Sequence, residues 1–281
     1  MSFALEDFLR ADDSLCSFSG AFRTIVERIN DPSASVANVS EAIELDPTVA
    51  AKTLRLANSS LYGYPHEIET LHRAVTIIGL QQIRQIVLST VVIEHFRGLP
   101  VIGVDMASFW RHSLATALLA RGIARYRREA NVERLYLFGL LHDIGRLLMF
   151  LYLGRHAEEL IDLREREGDL MFVAERRYMG FDHAQIGSAL LERWDMTPAH
   201  VEATRYHHEP LEAPAFPVEA SIVHVADSLA NAMRLGSSGE RMVPPVSREA
   251  FERIGLNMDQ CEEMALLAGE QLDQLARFLL D

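Results

Sequence analysis

The sequence predicts an all-α protein made of two packed helical lobes. Nearly every long segment repeats its apolar residues with the period of a helix, and no segment of useful length alternates like a strand. Capping residues, glycines and prolines indicate where one helix ends and the next begins. Gly98 and Pro100 form the boundary between the lobes. The predicted division is 1–100, 101–236, and 237–281 as a C-terminal loop and helices that pack on the rest.

Local signals set the helix limits in the first lobe. The first helix ends at the Asn-Asp-Pro sequence of 30–32, and Ser35 can cap the second. Asp46 followed by Pro47 is typical of a helix start, with an N-cap and then proline at the first helical position. The helices predicted here begin at 21, 36, 47, 71 and 80, and the last two are separated at Gly79.

The second lobe is predicted to open with two long helices, 106–128 and 132–153, the latter apolar almost throughout. At least one amphipathic helix is expected within 156–179. The remaining predicted helices are 183–194, 198–208, 218–235 and 258–280, with Asp182, Thr197-Pro198, a closing Gly236 and an Asn257–Gln260 capping box as their signals.

Composition indicates a cytoplasmic protein with no membrane or DNA partner. Of the 281 residues, 49% are hydrophobic and 24% charged, which is ordinary for a globular chain. We expect no spanning helix, and the acidic N-terminus does not resemble a secretory signal. Cys16 and Cys261 lie too far apart in the chain to suggest a disulfide framework. The net charge of −13 disfavours nucleic acid, so the basic stretch 121–128 is interpreted as a solvated helix face.

The motif with chemical meaning is His142-Asp143, inside the apolar segment YLFGLLHDIGRLLMFLY. Burying both side chains costs several kcal/mol, on the order of 2–7 for each uncompensated polar group. Coordination of a metal would offset that cost, because imidazole nitrogen and carboxylate oxygen are common metal ligands. A carboxylate can also bridge two ions. The alternative is a hydrogen-bonded His–Asp pair that joins two helices.

Two further residues strengthen the metal interpretation. His112 lies in the middle of SFWRHSLATALLA, and Asp227 lies in SIVHVADSLANAM, each among apolar neighbours on a separate helix. Together with the 142–143 pair they offer three or four ligands, the usual number for an ion with an open position. His224 lies three residues before Asp227 and shares roughly that helix face.

The order H…HD…D resembles the HD superfamily of metal-dependent phosphohydrolases. FDHAQIG with His183, and RYHHEP with His207 and His208, look like the additional histidines of its two-metal branch. That resemblance implies a second ion, with Asp143 as the bridge. Over 14–235 the chain resembles the HDOD family, the HD-related output domains. The matching blocks are DPTVAAKTLRLANSSLYG, AVTIIGLQQIRQIVL, FWRHSLATALLA, GLLHDIGRLL, MGFDHAQIGSALLERW and RYHHEP.

The HDOD resemblance implies a bacterial signal-transduction module that acts through signalling proteins as partners. Many members of that family have lost their metal ligands, whereas this sequence keeps the full set. One or two divalent ions are expected, and Fe, Mn, Zn, Ni or Mg would each suit these ligands. A homodimer is compatible with such a module. The retained candidate metal ligands are His112, His142, Asp143, His183, His207, His208 and Asp227.

The sequence also departs from the cyclic-dinucleotide hydrolases of the two-metal branch. Their GYP run is replaced by EPLEAPAFP, and their lysine after the HD motif is replaced by Arg146. Ser108 stands where an extra carboxylate ligand could have been, so a third metal is not expected. If the protein is an enzyme, the resemblance implies metal-assisted hydrolysis of a phosphorylated small molecule or nucleotide. Its candidate catalytic residues are then Asp143, Arg146 and His208.

Three hypotheses therefore stand. The first is a signalling output module that keeps a metal for structure or regulation. The second is a working phosphohydrolase, favoured by the retained ligands. The third is a metal-free helical scaffold in which the same His and Asp side chains only hydrogen-bond with one another.

Overall fold

The computed structural model describes residues 3–10, 20–31, 33–59 and 63–280, and confirms the all-helical prediction. Those ranges contain sixteen α-helices and no strand. Cys16 and Pro32 lie outside the described residues. The chain divides into a large unit, Met1–Cys16 with Gly98–Glu270, and a small unit, Ser17–Arg97 with Gln271–Asp281.

The small unit contains five complete helices whose starts follow the local signals. Ser35 and Asp46 cap their helices through their side chains, and Thr70 caps another. Gly79, at a φ of 95°, separates two consecutive helices as predicted. The helices are α2 (Gly20–Asn30), α3 (Val36–Ile43), α4 (Pro47–Ala57), α5 (Leu71–Ile78) and α6 (Leu80–His95), joined by the end of α16 (Met258–Leu280).

The large unit surrounds a central helix, α7 (Met106–Tyr126), which packs on two others, and these contacts position the site described below. Its helices are α1 (Leu5–Arg10), α7, α8 (Val132–Leu141), α9 (Ile144–Leu153), α10 (His156–Glu167), α11 (Met171–Met179), α12 (His183–Arg193), α13 (Pro198–Arg205), α14 (Pro217–Ala232), α15 (Arg248–Ile254) and the first part of α16. The helix α7 packs on α8 and α14, and α12 packs on α9 and α13.

The two ends of the chain group differently from the predicted lobe limits. The short helix α1 belongs with the large unit, because the ring of the fully buried Phe8 packs against Tyr152 at 4.4 Å and Phe181 at 5.4 Å. The end of α16 belongs with the small unit, where Lys52 Nζ donates a hydrogen bond to the carbonyl of Leu279 at 2.8 Å. Both groupings depend on packing between segments that are distant in sequence, and local sequence signals cannot predict such packing.

The predicted continuous helix over 132–153 is wrong, because the chain breaks at the His142-Asp143 pair. The helix α8 ends at Leu141 and α9 begins at Ile144, with Asp143 between them at φ −100° and ψ 8°. Both helices are buried almost all round, so the apolar pattern runs through the break without a gap. Because the backbone of Asp143 is not helical, the side chains at 142 and 143 need not keep the 100° separation of helix neighbours.

The same stretch corrects the expectation that no segment has the length and composition of a membrane span. Val132–Leu153 passes that test, with a mean hydropathy of 1.3. However, 89% of its apolar window is buried inside the protein, and it is two helices rather than one. The stretch therefore serves as core of the large unit.

Two glycines allow neighbouring segments to pack with their backbones in contact, close to the His142-Asp143 pair and to His112. A Cβ on Gly145 would overlap the carbonyl of His183 and the amide of Gly187, so α9 and α12 can approach only with glycine there. Gly236 does not close α14 as predicted, since that helix ends at Ala232 with Met233 as its C-cap. Instead Gly236 lies against the backbone of α7, where a Cβ would come within 2.5 Å of the His112 amide.

Candidate metal centre

All seven predicted ligands converge in the large unit. His112 comes from α7, Asp227 from α14, and the 142–143 pair from the break between α8 and α9. His183 is the first residue of α12, while His207 and His208 lie in the loop after α13, which ends earlier than predicted. All of them are buried except His208, which is half-buried.

One set of these residues, the first ligand group, faces one oxygen of Asp143. His142 Nε2 lies 3.3 Å and His112 Nε2 3.8 Å from Asp143 Oδ2. Asp227 Oδ1 lies 3.0 Å from His112 Nε2 and 3.5 Å from His142 Nε2. The first ligand group is thus His112, His142, Asp143 and Asp227.

The second ligand group faces the other oxygen of the same carboxylate. His183 Nε2 lies 2.9 Å and His207 Nε2 3.6 Å from Asp143 Oδ1. His208 Nε2 lies 3.0 Å from His183 Nε2. Four ligand atoms from Asp143, His183, His207 and His208 all fall within 4.8 Å of one another. One oxygen of Asp143 thus faces each ligand group.

Hydrogen bonds at Nδ1 fix which nitrogen of each imidazole faces the centre. His142 Nδ1 lies 2.7 Å from the Gly139 carbonyl, and His207 Nδ1 lies 2.7 Å from the Thr204 carbonyl. A carbonyl can only accept, so each Nδ1 carries the hydrogen and donates it. In the neutral ring each Nε2 then presents a lone pair to the centre, and neither has a hydrogen-bond partner among the described residues. Metal-binding histidines are held in this way.

The Nε2 atoms of the neutral imidazoles face oxygens of Asp143, which are also acceptors. This geometry shows whether the residues fit a cation. In the neutral ring, with Nδ1 protonated, His183 Nε2 is an acceptor 2.9 Å from the acceptor Asp143 Oδ1, and Arg146 Nη2 is a donor 3.1 Å from the same nitrogen. His142 Nε2 likewise faces Asp143 Oδ2 at 3.3 Å. Two buried acceptors repel at such distances unless a positive charge lies between them. The donor set, imidazole with carboxylate, suits a divalent transition metal, so the residues fit.

Charge balance leads to the same requirement. The cluster contains three buried carboxylates, Asp143, Asp227 and Glu175, and one buried guanidinium, Arg146, which lies beside Asp143 and Glu175. With neutral histidines the cluster carries a net charge of −2, which a divalent ion or two protons would neutralise. Without an ion, protons go to the imidazoles: burial alone lowers the pKa of His142, but Asp143 and Asp227 raise it to about 10. In the metal-free hypothesis, protonated histidines would therefore pair with these carboxylates.

Arg146, one of the candidate catalytic residues, is 2% exposed and already has partners. Its Nη1 donates to Ser238 Oγ at 2.9 Å, and its Nη2 lies 3.1 Å from His183 Nε2. Its guanidinium also lies 3.8 Å from oxygens of Asp143 and Glu175. Arg146 therefore connects the centre to the loop after α14.

Two supporting residues, Phe172 and Glu175, were not predicted from the sequence. Glu175 Oε2 accepts a hydrogen bond from His183 Nδ1 at 2.6 Å, and the ring of Phe172 stacks on His208 at 4.2 Å. Both lie on α11, whose MFVAERRYM sequence reads like an ordinary surface helix. His224 supports the site from behind, since its Nδ1 donates to the His207 carbonyl and its Nε2 accepts from the Ser247 amide.

The fold and the centre together define an all-helical protein with an HD-type ligand set. The chain belongs to the HDOD family, because the HDOD domain profile matches residues 15–210, more than half of its length.

Several solved structures share this all-helical fold. An HDOD domain protein of unknown function from Geobacter sulfurreducens superimposes with a TM-score of 0.81 at 24% identity, covering 96% of both chains. A proposed phosphohydrolase from Shewanella amazonensis SB2B gives 0.78 at 25% identity, covering 97% of both. A proposed signal transduction protein from Marinobacter aquaeolei VT8 gives 0.76 at 22% identity, covering all of this chain and 62% of that one.

Among curated sequences, an uncharacterised protein of Treponema pallidum is 25% identical over 194 residues, which cover 68% of this chain. The match spans only 37% of that relative's length.

Proposed function

We propose that this chain is a bacterial signal-transduction module of the cytoplasm that binds one or two divalent ions at the buried centre and acts through protein partners. The observation that carries the proposal is the pair of buried acceptor clusters on the two oxygens of Asp143. The HDOD assignment supports the signalling part, and the ligand set supports the metal part.

Burial favours a structural or regulatory ion over rapid turnover. Four of the five imidazoles are fully buried, and Asp143 and Arg146 are each 2% exposed. An ion held here would join α7, α14, the start of α12 and two loops in one arrangement. Removing it would leave a buried net charge, so the ion would control how firmly these segments stay together.

A phosphohydrolase is the second candidate, favoured by the two ligand groups that share one carboxylate. Two ions bound in this way would lower the pKa of a water and neutralise phosphoryl oxygens. The similarity to the Shewanella protein, itself a proposed phosphohydrolase, points in the same direction. In this chain Arg146 would offset phosphate charge, and the half-buried His208 would lie nearest to an incoming phosphorylated small molecule or nucleotide.

Partners are proposed on chemical grounds alone. The net charge of −13 suits signalling proteins with basic surfaces and disfavours DNA. A homodimer is compatible with the proposal and is measured directly by analytical ultracentrifugation.

Metal analysis of protein purified without chelator tests the first part. We expect one or two equivalents of transition metal in the wild type and a clear loss in Asp143→Ala. His156→Ala removes a surface histidine that pairs with Glu159 and should leave the metal content unchanged. A wild type without stoichiometric metal, also after loading with Mn²⁺ or Fe²⁺, would contradict the proposal and favour the metal-free scaffold.

Screening phosphomonoesters and nucleotides with added Mn²⁺ or Fe²⁺ separates the two metal hypotheses. Turnover that disappears in Asp143→Ala would support the phosphohydrolase. Turnover that persists in that variant would identify a contaminant, and no turnover by the metal-loaded protein would support the signalling module.

A further inference from the structure

The helix α11 contributes no predicted ligand, yet it contacts the second ligand group at two places. Phe172, Glu175 and Arg176 follow one another at helical spacing, so they share one face of that helix. Phe172 contacts His208 and Glu175 contacts His183. The orientation of half of the second group therefore depends on this helix.

Glu175 holds His183 by two hydrogen bonds at one oxygen. Glu175 Oε2 accepts from the backbone amide of His183 at 2.8 Å and from His183 Nδ1 at 2.6 Å. Glu175 is fully buried, and its other oxygen lies 3.8 Å from Arg146 Nε. The first bond fixes the start of α12, and the second sets the rotation of the imidazole. A charged acceptor on Nδ1 also makes Nε2 a stronger ligand.

His183 differs in this respect from His142 and His207. Those two imidazoles donate to backbone carbonyls, of Gly139 and Thr204, which any residue would supply. His183 instead relies on a side chain from a different helix. A substitution can therefore remove the support of the second ligand group while leaving the first group intact.

We infer that Glu175 is a positioning residue that orients His183 and sets the affinity of the second ligand group alone. The inference rests on the proposed metal binding. If Glu175 has this role, one ion position can be weakened without the other. The first position depends on α7, α14 and the break at 142–143, whereas the second depends in addition on α11.

The environment of His208 supports the same role for α11. Phe172 stacks on the His208 ring at 4.2 Å with an angle of 14°. The guanidinium of Arg176 lies over the Phe172 ring, 5.2 Å from its centre. Arg176 also binds both carboxylate oxygens of Glu209, the residue after His208, at 2.9 and 2.7 Å. Contacts from α11 thus restrain the ring of His208 and the side chain of the residue that follows it.

Metal binding by Glu175 variants tests the inference. The measurements are Mn²⁺ titration by calorimetry and the visible spectrum of the Co²⁺-loaded protein. We expect two binding steps in the wild type. In Glu175→Ala one step should keep its affinity, and the other should weaken about 10- to 100-fold. Glu175→Gln keeps an acceptor oxygen without its charge, so the loss should be smaller, near 10-fold.

Glu240→Gln is the matched control. Glu240 is another buried carboxylate, and its Oε2 accepts from the amide of Met171 at the start of α11, but no hydrogen bond or ion pair joins it to a histidine among the described residues. That variant should keep both binding steps. His112→Ala provides the opposite case, because it should weaken the first position.

The outcomes separate the inference from the function on which it rests. A wild type that binds no Mn²⁺ and no Co²⁺ contradicts the proposed function. A wild type with a single step overturns the inference, which requires two positions. Two steps that are unchanged in Glu175→Ala also overturn it, as does an equal weakening of both steps. The same loss in Glu240→Gln would show general loosening of α11 and would equally overturn the inference.

Discussion

Each unit buries a cluster of charges, and the two clusters are balanced in different ways. In the small unit, Lys52 Nζ lies 2.9 Å from Glu94 Oε1, and Arg97 lies 2.9 Å from the other oxygen of Glu94. Lys52 Nζ also donates to the carbonyl of Leu279, and Arg97 Nη2 donates to the carbonyl of Leu280. The protein's own cations neutralise the charge of Glu94, and the cluster holds the end of α16.

The cluster in the large unit is not balanced by protein groups. Its carboxylates outnumber its one guanidinium, and the lone pairs of His142 and His183 face the oxygens of Asp143. A buried charged group therefore does not by itself indicate a ligand site. A surplus of buried acceptors with fixed orientations does, because only a cation or extra protons can complete it.

The largest expected effect separates the two clusters directly. Ion binding at a free concentration about a thousand times the dissociation constant stabilises a protein by about 4 kcal/mol. Chelator should therefore lower the free energy of unfolding of the wild type by that order, and should have little effect on Asp143→Ala. Urea unfolding with Mn²⁺ or with EDTA measures both. A wild type that is indifferent to chelator would show that its cluster is as complete as that of Lys52.

Gly145→Ala should have the next largest effect. The added Cβ would overlap backbone atoms of His183 and Gly187, so α9 and α12 must separate. We expect a loss of about 3 kcal/mol in unfolding free energy, together with weaker binding at the second ligand group. Gly269→Ala is the control, since a Cβ there meets nothing within 4 Å. Equal stability of the two variants would contradict the close approach.

Lys52→Met should have a smaller effect that does not depend on metal. It removes the partner of a mostly buried carboxylate, although Arg97 remains beside Glu94. We expect a loss of about 2 kcal/mol, equal with and without Mn²⁺. Arg23→Met breaks an exposed pair with Glu27 and should change unfolding little. A metal-dependent loss in Lys52→Met would remove the distinction between the two clusters.

The smallest expected effect is on the pH dependence of stability and comes from His200, a buried histidine that is not a candidate metal ligand. Burial, assisted by Arg134, lowers the pKa of His200 to about 3. The unfolded chain then binds more protons than the folded one between about pH 6.5 and 3. The contribution of His200 to the free energy of unfolding is therefore complete above about pH 6.5 and is lost as the pH falls. Between pH 7 and 5 the wild type should lose roughly 1 to 2 kcal/mol more than His200→Gln. Parallel stability curves for the two proteins would refute the buried, neutral imidazole.

Local signals predicted much of the fold. Ser35, Asp46, Asp182 and the Asn257–Gln260 pair all cap helices as expected, because capping needs only neighbours in sequence. The break at 142–143 could not be predicted in this way. Residues on both sides of it are buried on every face, so neither helix has a polar side that would reveal its end.

The ligand candidates could be named from the sequence, but their support could not. His183 and His207 were chosen through the family resemblance, and the structure places them on one oxygen of Asp143. Glu175 carries no such signal, since a glutamate before two arginines is typical of a surface helix. Its burial follows only from the packing of α11 beside α12.

X-ray diffraction at the manganese absorption edge tests the central claim most directly. Crystals of the wild type, grown with Mn²⁺ and without chelator, should show anomalous density on both sides of the Asp143 carboxylate. One peak should lie among the first ligand group and the other among the second. Density absent from both places, with His142 and His183 still paired to Asp143, would show that protons complete this cluster and that no metal does.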